Sequence, residues 1–408
     1  MRRGPLAIVS LIAAVVGGVA TIGVGKATGW LSSNSKTSTV VVDRTTVDSQ
    51  PARASQSLPA RARPLTGSGF DPAKIYARRA AGVVTIFAIF GNPSSATAQQ
   101  AQGSGFVVSP KGYILTNSHV ITNAGEGAQG SSVRAAQKLY VEFQDRDRVP
   151  AKVIGWDIFD DVGLIKVDPS EHALYPVPLG NSASVVVGEP VAAIGSPFGN
   201  ENSLTVGVVS ATKRSISSLT SQYNIVDAIQ TDAQINHGNS GGPLFDARGR
   251  VIGLNAQIRS ESGISEGVGF AVPIDLAKRS MTQLIAAGHV SYAYVGIETE
   301  DLTPSLARRF HYGVSHGAVI TQVHGGTPGA AAGLRGGTKE TTVLGTRFSR
   351  GGDIIVAIAG RPVTSAEDVV RTVSERLSPG QSVAFTIVRD GRRRTVRVTL
   401  GERPTNPQ

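Results

Sequence analysis

The 408-residue sequence predicts a mainly β chain that ends in a smaller mixed α+β module. Val, Ile and Thr recur in short runs divided by Gly, Pro, Asn and Ser, the spacing of barrels or sandwiches. One clear amphipathic helix, at residues 274–287, follows them, with Leu276, Met281, Leu284 and Ile285 expected on one side. After Gly288 the pattern shifts to short strands, a Gly325-Gly326-Thr327-Pro328-Gly329 turn, a helical piece at 330–334 and a helix at 365–377. That module holds about 110 residues, enough for its own core.

In chain order, Arg2 and Arg3 precede an uncharged run at 5–25 that is closed by Lys26. Such a run spans a bilayer as a helix, so residues 1–30 are expected to be a cytoplasmic tip and transmembrane anchor, with everything beyond exported. A signal peptide cleaved after Gly18-Val19-Ala20 is the alternative, and would release a secreted protein. Residues 31–70 are rich in Ser, Thr, Arg, Pro and Gln and are expected to be a disordered linker. Two folded domains, 71–288 and 289–402, and a tail at 403–408 complete the division. Within the first, strands are expected at 81–90, 139–143, 151–155, 162–167, 190–194, 204–212, 251–258 and 267–272, with a hairpin at 103–116. Residues 123–136 are expected to be a mobile surface loop.

The sequence has no cysteine, which excludes disulfides, thiol catalysis and Cys-ligated metals, and no metal or cofactor is expected. The formal charge of +10 does not argue for nucleic acid. Arg389, Arg392, Arg393, Arg394 and Arg397 crowd a hairpin around Asp390-Gly391, and alternation there puts Val396, Val398 and Leu400 on the opposite face. That is the pattern of a solvated strand face.

Chemistry concentrates at 230–244, where Ser240 lies between Gly238 and Gly241-Gly242, with Pro243 beyond. Glycines on both sides let a substrate backbone approach and let main-chain N–H groups converge; the same residues also build ordinary turns. A serine hydroxyl needs an imidazole to take its proton and a carboxylate to hold that imidazole. His289, His311, His316 and His324 lie in or beside the C-terminal module, His172 is in a polar stretch and His237 shares the serine's loop, which leaves His119. Asp157, Asp160 and Asp161 are the neighbouring acids, each of them equally readable alone as a solvated loop carboxylate.

Thr116 to Val120 (TNSHV), Gly155 to Val167 (GWDIFDDVGLIKV), Ala193 to Gly199 (AIGSPFG), Thr205 to Ser210 (TVGVVS), Thr231 to Leu244 (TDAQINHGNSGGPL) and Gly267 to Pro273 (GVGFAVP) resemble, in order, the motifs of HtrA/Deg proteases. That resemblance implies a chymotrypsin-like double β-barrel followed by a PDZ domain, with His119 as general base, Asp161 as its orienter and Ser240 as nucleophile. It implies an oxyanion hole at Gly238, Asn239 and Ser240, where Asn239 cannot form the activating ion pair of pancreatic relatives. Ile235 and Ile258 are similar to positions lining the primary specificity pocket, beside Arg259. Tyr294, Val295, Gly296 and Ile297 resemble a peptide-carboxylate loop, and Ala332-Gly333-Leu334 and Gly352-Asp353-Ile354-Ile355 resemble other PDZ signatures; residues 335–351 between them read as a long loop. The implied function is a serine endopeptidase of the cell envelope acting on unfolded, damaged or signalling polypeptides, assembled as a homo-oligomer such as a trimer. A membrane-tethered chaperone or scaffold that binds exposed C-termini is the alternative.

Overall fold

The computed structural model describes residues 69–91, 99–126, 132–196, 202–236, 238–256, 267–343 and 345–405. The apolar run at 5–25 and nearly all of the linker lie outside them. Among the described residues no helix is long and apolar enough to cross a membrane.

The chain enters through α1 (Pro72–Arg79), whose N-cap Asp71 accepts the Lys74 N–H at 2.9 Å, with Pro at the first turn where no N–H is needed. Six strands then close a barrel in the order β1-β2-β3-β6-β5-β4. They are β1 (Val83–Phe90), β2 (Gln99–Val107), β3 (Tyr113–Thr116), β4 (Lys138–Glu142), β5 (Arg148–Asp157) and β6 (Val162–Val167), with a single helical turn α2 (Ser118–Ile121) after β3. Part of the segment expected as a loop is tied down: Thr122 bridges Ala135 and Asn123 starts a 3-10 turn.

A second barrel follows in the order β10-β11-β12-β9-β8-β7, built from β7 (Pro190–Gly195), β8 (Ser203–Ser217), β9 (Asn224–Thr231), β10 (Pro243–Phe245), β11 (Val251–Ala256) and β12 (Gly269–Pro273). Strand periodicity decides where the core goes. Ile114 and Ile165 fill the first barrel, while their neighbours Leu115 and Leu164 point outward and pack with Ala192, Ile194 and Phe245 of the second. These strands therefore read as continuous apolar runs, since both faces are buried. Neither β9 nor β10 was expected from the sequence.

Helix α3 (Ile274–Ala287) matches its expected range and buries Leu276, Ala277, Ser280 and Leu284. Ile285, expected on that face, is 47% exposed, because one residue past Leu284 turns the side chain about 100° around the axis. Gly288 ends the helix at φ 75°, its N–H donating to Leu284 O at 2.9 Å.

The C-terminal module comprises β13 (Ala293–Tyr294), β14 (Ile297–Leu302), α4 (Pro304–Phe310), β15 (Gly317–Val323), α5 (Pro328–Ala331), β16 (Lys339–Val343), β17 (Thr346–Arg350), β18 (Ile354–Ile358), β19 (Arg361–Pro362), α6 (Ala366–Arg376), β20 (Ser382–Arg389), β21 (Arg392–Thr399) and β22 (Gly401–Glu402). Its main sheet runs β14-β15-β18-β20-β21, with β19 on β18 and β13 paired to β22. The segment read as a long loop is instead the β16–β17 hairpin, in register from Lys339↔Arg350 to Val343↔Thr346. Asp390 at φ 51° and Gly391 at φ 70° form the turn between β20 and β21. Arg389 leaves the solvated face: it grips the buried Asp353 through Nε and Nη2, both at 2.6 Å. Helix α6 begins with a capping box, Ser365 to Asp368 and back.

Candidate active site

His119 sits on α2, just past β3, and Asp161 at the turn between β5 and β6, so the β3–β6 pairing carries both to one rim of the first barrel. His119 Nδ1 lies 2.7 Å from Asp161 Oδ2. Asp161 Oδ1 accepts the Ser118 hydroxyl at 2.8 Å and the His119 N–H at 3.0 Å, and its carbonyl accepts Asn117 Nδ2 at 2.8 Å. A carboxylate with those donors already committed can address only one imidazole nitrogen, which leaves Nε2 turned away from it. Asp161 holds φ 53°, a left-handed conformation that Asp tolerates better than most residues.

Ser240 comes from the turn before β10 in the other barrel. Its loop is seated against the first barrel by close backbone approach. A Cβ on Gly241, at φ 83°, would lie 2.2 Å from Ser104 O and 3.0 Å from Asn117 N. One on Gly103 would meet Val120, next to His119, at 2.6 Å and Ser240 O at 3.2 Å. Ser104, on β2, is the brace: its N–H donates to Ser240 O at 2.8 Å, its hydroxyl donates to Gly238 O at 2.6 Å and accepts the Ser196 N–H at 2.9 Å. The sequence reading passed over Ser104. The Gly103-Ser104-Gly105 tripeptide inside a strand was the available signal, because Gly in a strand interior marks close backbone approach.

The Ser240 hydroxyl is buried and makes no hydrogen bond among the described residues. Gly238 holds φ 98°, and Asn239 donates its N–H to Asn236 O at 3.0 Å. Among the described residues, the N–H groups of Gly238 and Ser240 donate to nothing. Asn239 Nδ2 reaches Gln234 O at 3.2 Å while its Oδ1 is buried without a partner. Ile235 is buried among Val191, Ile229 and Leu244 of the second barrel. Ile258, Arg259 and His237 lie outside the described residues.

Asp157 and Asp160 are not solvated loop carboxylates. The Tyr292 hydroxyl donates between them, at 2.5 Å to Asp157 Oδ2 and 2.7 Å to Asp160 Oδ2, and Ser280 also donates to Asp157 at 2.7 Å. Arg279 stands over the Tyr292 ring at 4.5 Å and Arg403 at 5.0 Å, and the Arg403 N–H donates to Tyr292 O at 2.8 Å. Both chain ends of the C-terminal module are thus fastened to the segment that leads into Asp161. Burial, reinforced by the charge of Asp157, pushes the Asp160 carboxyl up to about 6, and burial, with Asp227 adding to it, pushes Glu375 of α6 up to about 7. An acid whose folded pKa is raised stabilises the fold below its unfolded value, and that contribution is lost as pH climbs through the folded value. Asp160→Asn is therefore expected to flatten the fall in melting temperature between pH 4 and pH 7. A profile parallel to the parent's would show that Asp160 is not the titrating group.

In the module, β13 brings Tyr294 opposite Gly401, and Val295-Gly296 leads into β14. Gly296 holds φ 78°, and a Cβ there would lie 2.3 Å from Thr327. The carbonyls of this loop are occupied: Val295 O accepts the Gly329 N–H at 2.7 Å and Gly296 O the His324 N–H at 3.0 Å. The N–H groups of Val295 and Gly296 donate to no described group. Beyond them a cavity of about 450 Å³ runs between β14 and α6, bounded also by Ser215 and Asn224 of β8 and β9. Arg371 of α6 clamps Asp227 of β9 with two bonds, at 2.7 and 2.6 Å.

Residues 103–254 match the trypsin-like peptidase domain and residues 293–400 the PDZ domain. A probable periplasmic serine endoprotease, DegP-like, of Pseudomonas savastanoi pv. phaseolicola is 39% identical over 309 residues, 76% of this chain and 57% of the relative. The protein of the same description from Hahella chejuensis is 39% identical over 307 residues, 75% of this chain and 58% of its own. The chain thus spans less than two thirds of the length of these relatives. Among solved structures, the HtrA-type protease AlgW with tripeptide superposes with a TM-score of 0.67 at 32% identity, over 82% of this chain and 98% of its own. A serine endoprotease from Yersinia pestis gives 0.58 at 29% identity, over 82% and 98%. Two barrels, a PDZ module and this likeness along almost the whole of a solved relative lead to one conclusion: the chain belongs to the HtrA-type proteases.

Proposed function

We propose that the protein is a serine endopeptidase that cleaves unfolded, damaged or signalling polypeptides outside the cytoplasm. The buried 2.7 Å bond between His119 Nδ1 and Asp161 Oδ2 carries the reading. It leaves Nε2 as the nitrogen that takes the Ser240 proton when Oγ attacks a peptide carbonyl and later returns it to the leaving amine. The negative oxygen of the tetrahedral intermediate is received by the uncommitted N–H groups of Gly238 and Ser240, and water then resolves the acyl-enzyme. The unbonded Ser240 hydroxyl describes a resting arrangement that tightens when substrate arrives. An aliphatic side chain at the cleavage site is the preference that goes with Ile235, which is buried beside the Ser240 loop. Relatives named as periplasmic support an extracytoplasmic site. The uncharged run at 5–25 behind Arg2 and Arg3 supports a membrane anchor, and a homo-oligomer is the assembled form that goes with the resemblance. Digestion of unfolded casein by the full chain tests the reading: intact casein after prolonged incubation leaves a binding protein, not an enzyme.

The loop from Tyr294 to Ile297 receives the free C-terminus of a peptide, which adds a strand along β14. The uncommitted N–H groups of Val295 and Gly296 support this. A peptide ending in valine is expected to bind at least about tenfold more tightly than its amidated twin, since charge-assisted bonds are the strong ones. Equal affinities in a calorimetric titration would remove the carboxylate from the account.

A further inference from the structure

The larger cavity of the C-terminal module, about 950 Å³, lies elsewhere and shares no lining residue with the groove between β14 and α6. Its floor is apolar, with Ala307 of α4 and Val356 of β18, and its rim carries the exposed cations Arg308 and Arg393 beside the exposed His311 and His316. Among the described residues no carboxylate lines it. Neither Arg308 nor Arg393 makes an ion pair among the described residues, whereas Arg371 and Arg389 of the same module are each bound to a carboxylate.

The α4 wall is held from behind. Phe310 stacks on Phe348 with ring centroids 5.7 Å apart, and Arg350 covers Phe310 at 4.2 Å. Thr303 caps the helix start, and His311 ends it at φ 54°. The groove is therefore preformed, and a ligand does not have to order it.

We propose that this groove is a second polypeptide-docking site, for an extended segment carrying acidic side chains, recognised through those side chains and not through its C-terminus. Apolar residues of such a segment cover Ala307 and Val356, and its carboxylates pair with the guanidinium forks of Arg308 and Arg393. Composition separates this from a lipid surface: the two arginines share the lining with buried Ala307 and half-buried Val356, so the ligand brings apolar side chains as well as charge. The proposal does not depend on hydrolysis, and its test is made with the Ser240→Ala full chain so that the probe survives.

The probe is a fluorescein-labelled, C-terminally amidated peptide of alternating Glu and Val, about twelve residues long, enough to span the groove at roughly 3.3 Å per residue. Anisotropy is expected to show binding that weakens at least about tenfold when Arg308→Glu and Arg393→Glu are combined, as reversal of complementary charge requires. The Arg308→Gln, Arg393→Gln pair should fall between, with a melting temperature close to the parent's because neither arginine makes an ion pair among the described residues. An excess of an unlabelled peptide with a free C-terminal valine should leave the probe bound. Displacement by that peptide, or indifference to both variant pairs, overturns the proposal. Binding of the chain to phosphatidylglycerol vesicles that depends on Arg308 and Arg393, with no binding of the probe, also overturns it and assigns the patch to lipid.

Discussion

Casein hydrolysis by Ser240→Ala is expected to fall by about a millionfold in kcat, the scale on which loss of the nucleophile removes serine-protease catalysis. A residue of roughly 10³- to 10⁴-fold over water persists where oxyanion donors and binding remain intact. Stability separates chemistry from collapse. The Ser240 hydroxyl is buried with no hydrogen bond among the described residues, so alanine removes an unsatisfied polar group rather than a contact. The melting temperature is expected to stay level or rise. Hydrolysis at the parent rate would place the nucleophile elsewhere, and a lower melting temperature together with lost activity would show that the hydroxyl holds structure.

Asp161→Asn is expected to lower kcat by about 10⁴, the usual cost of a wrong imidazole tautomer. The three donors on the carboxylate explain why. Ser118 Oγ and the His119 N–H both address Oδ1, so the carbonyl oxygen of Asn is drawn to that side and its NH₂ is turned on His119 Nδ1. Nδ1 must then accept, Nε2 carries the proton, and no base faces Ser240. Asn also tolerates φ 53°, so the backbone keeps its turn. Kinetics beside a thermal melt check both halves. Full activity would mean that Asp161 orients nothing, and a large loss of stability would mean that it is structural.

The sequence carried β1, β3 and β6 of the first barrel well because these strands are buried on both faces and announce themselves as apolar runs. The close backbone approach within Thr231 to Leu244 was equally plain from its glycines. That stretch hid β10, whose three residues are too short for any period. Strand β9 was missed because alternate residues fail to alternate: Asp227 interrupts it at φ 58° to reach Arg371. Asp157 and Asp160 looked like solvent-facing charges because what buries them, Tyr292, stands more than a hundred residues downstream. No local pattern reports such a partner. The β16–β17 hairpin was hidden in the same way, its strands short and largely polar.

Among the described residues the module meets the barrels through the clasp of Tyr292 and Arg403 on the segment before Asp161, through the Tyr223 hydroxyl, which donates to Pro404 O at 3.4 Å, and through the Arg371–Asp227 pair. The wall of the β14–α6 groove carries the Arg371 anchor, so whatever fills that groove lies against the same helix that holds Asp227 of β9.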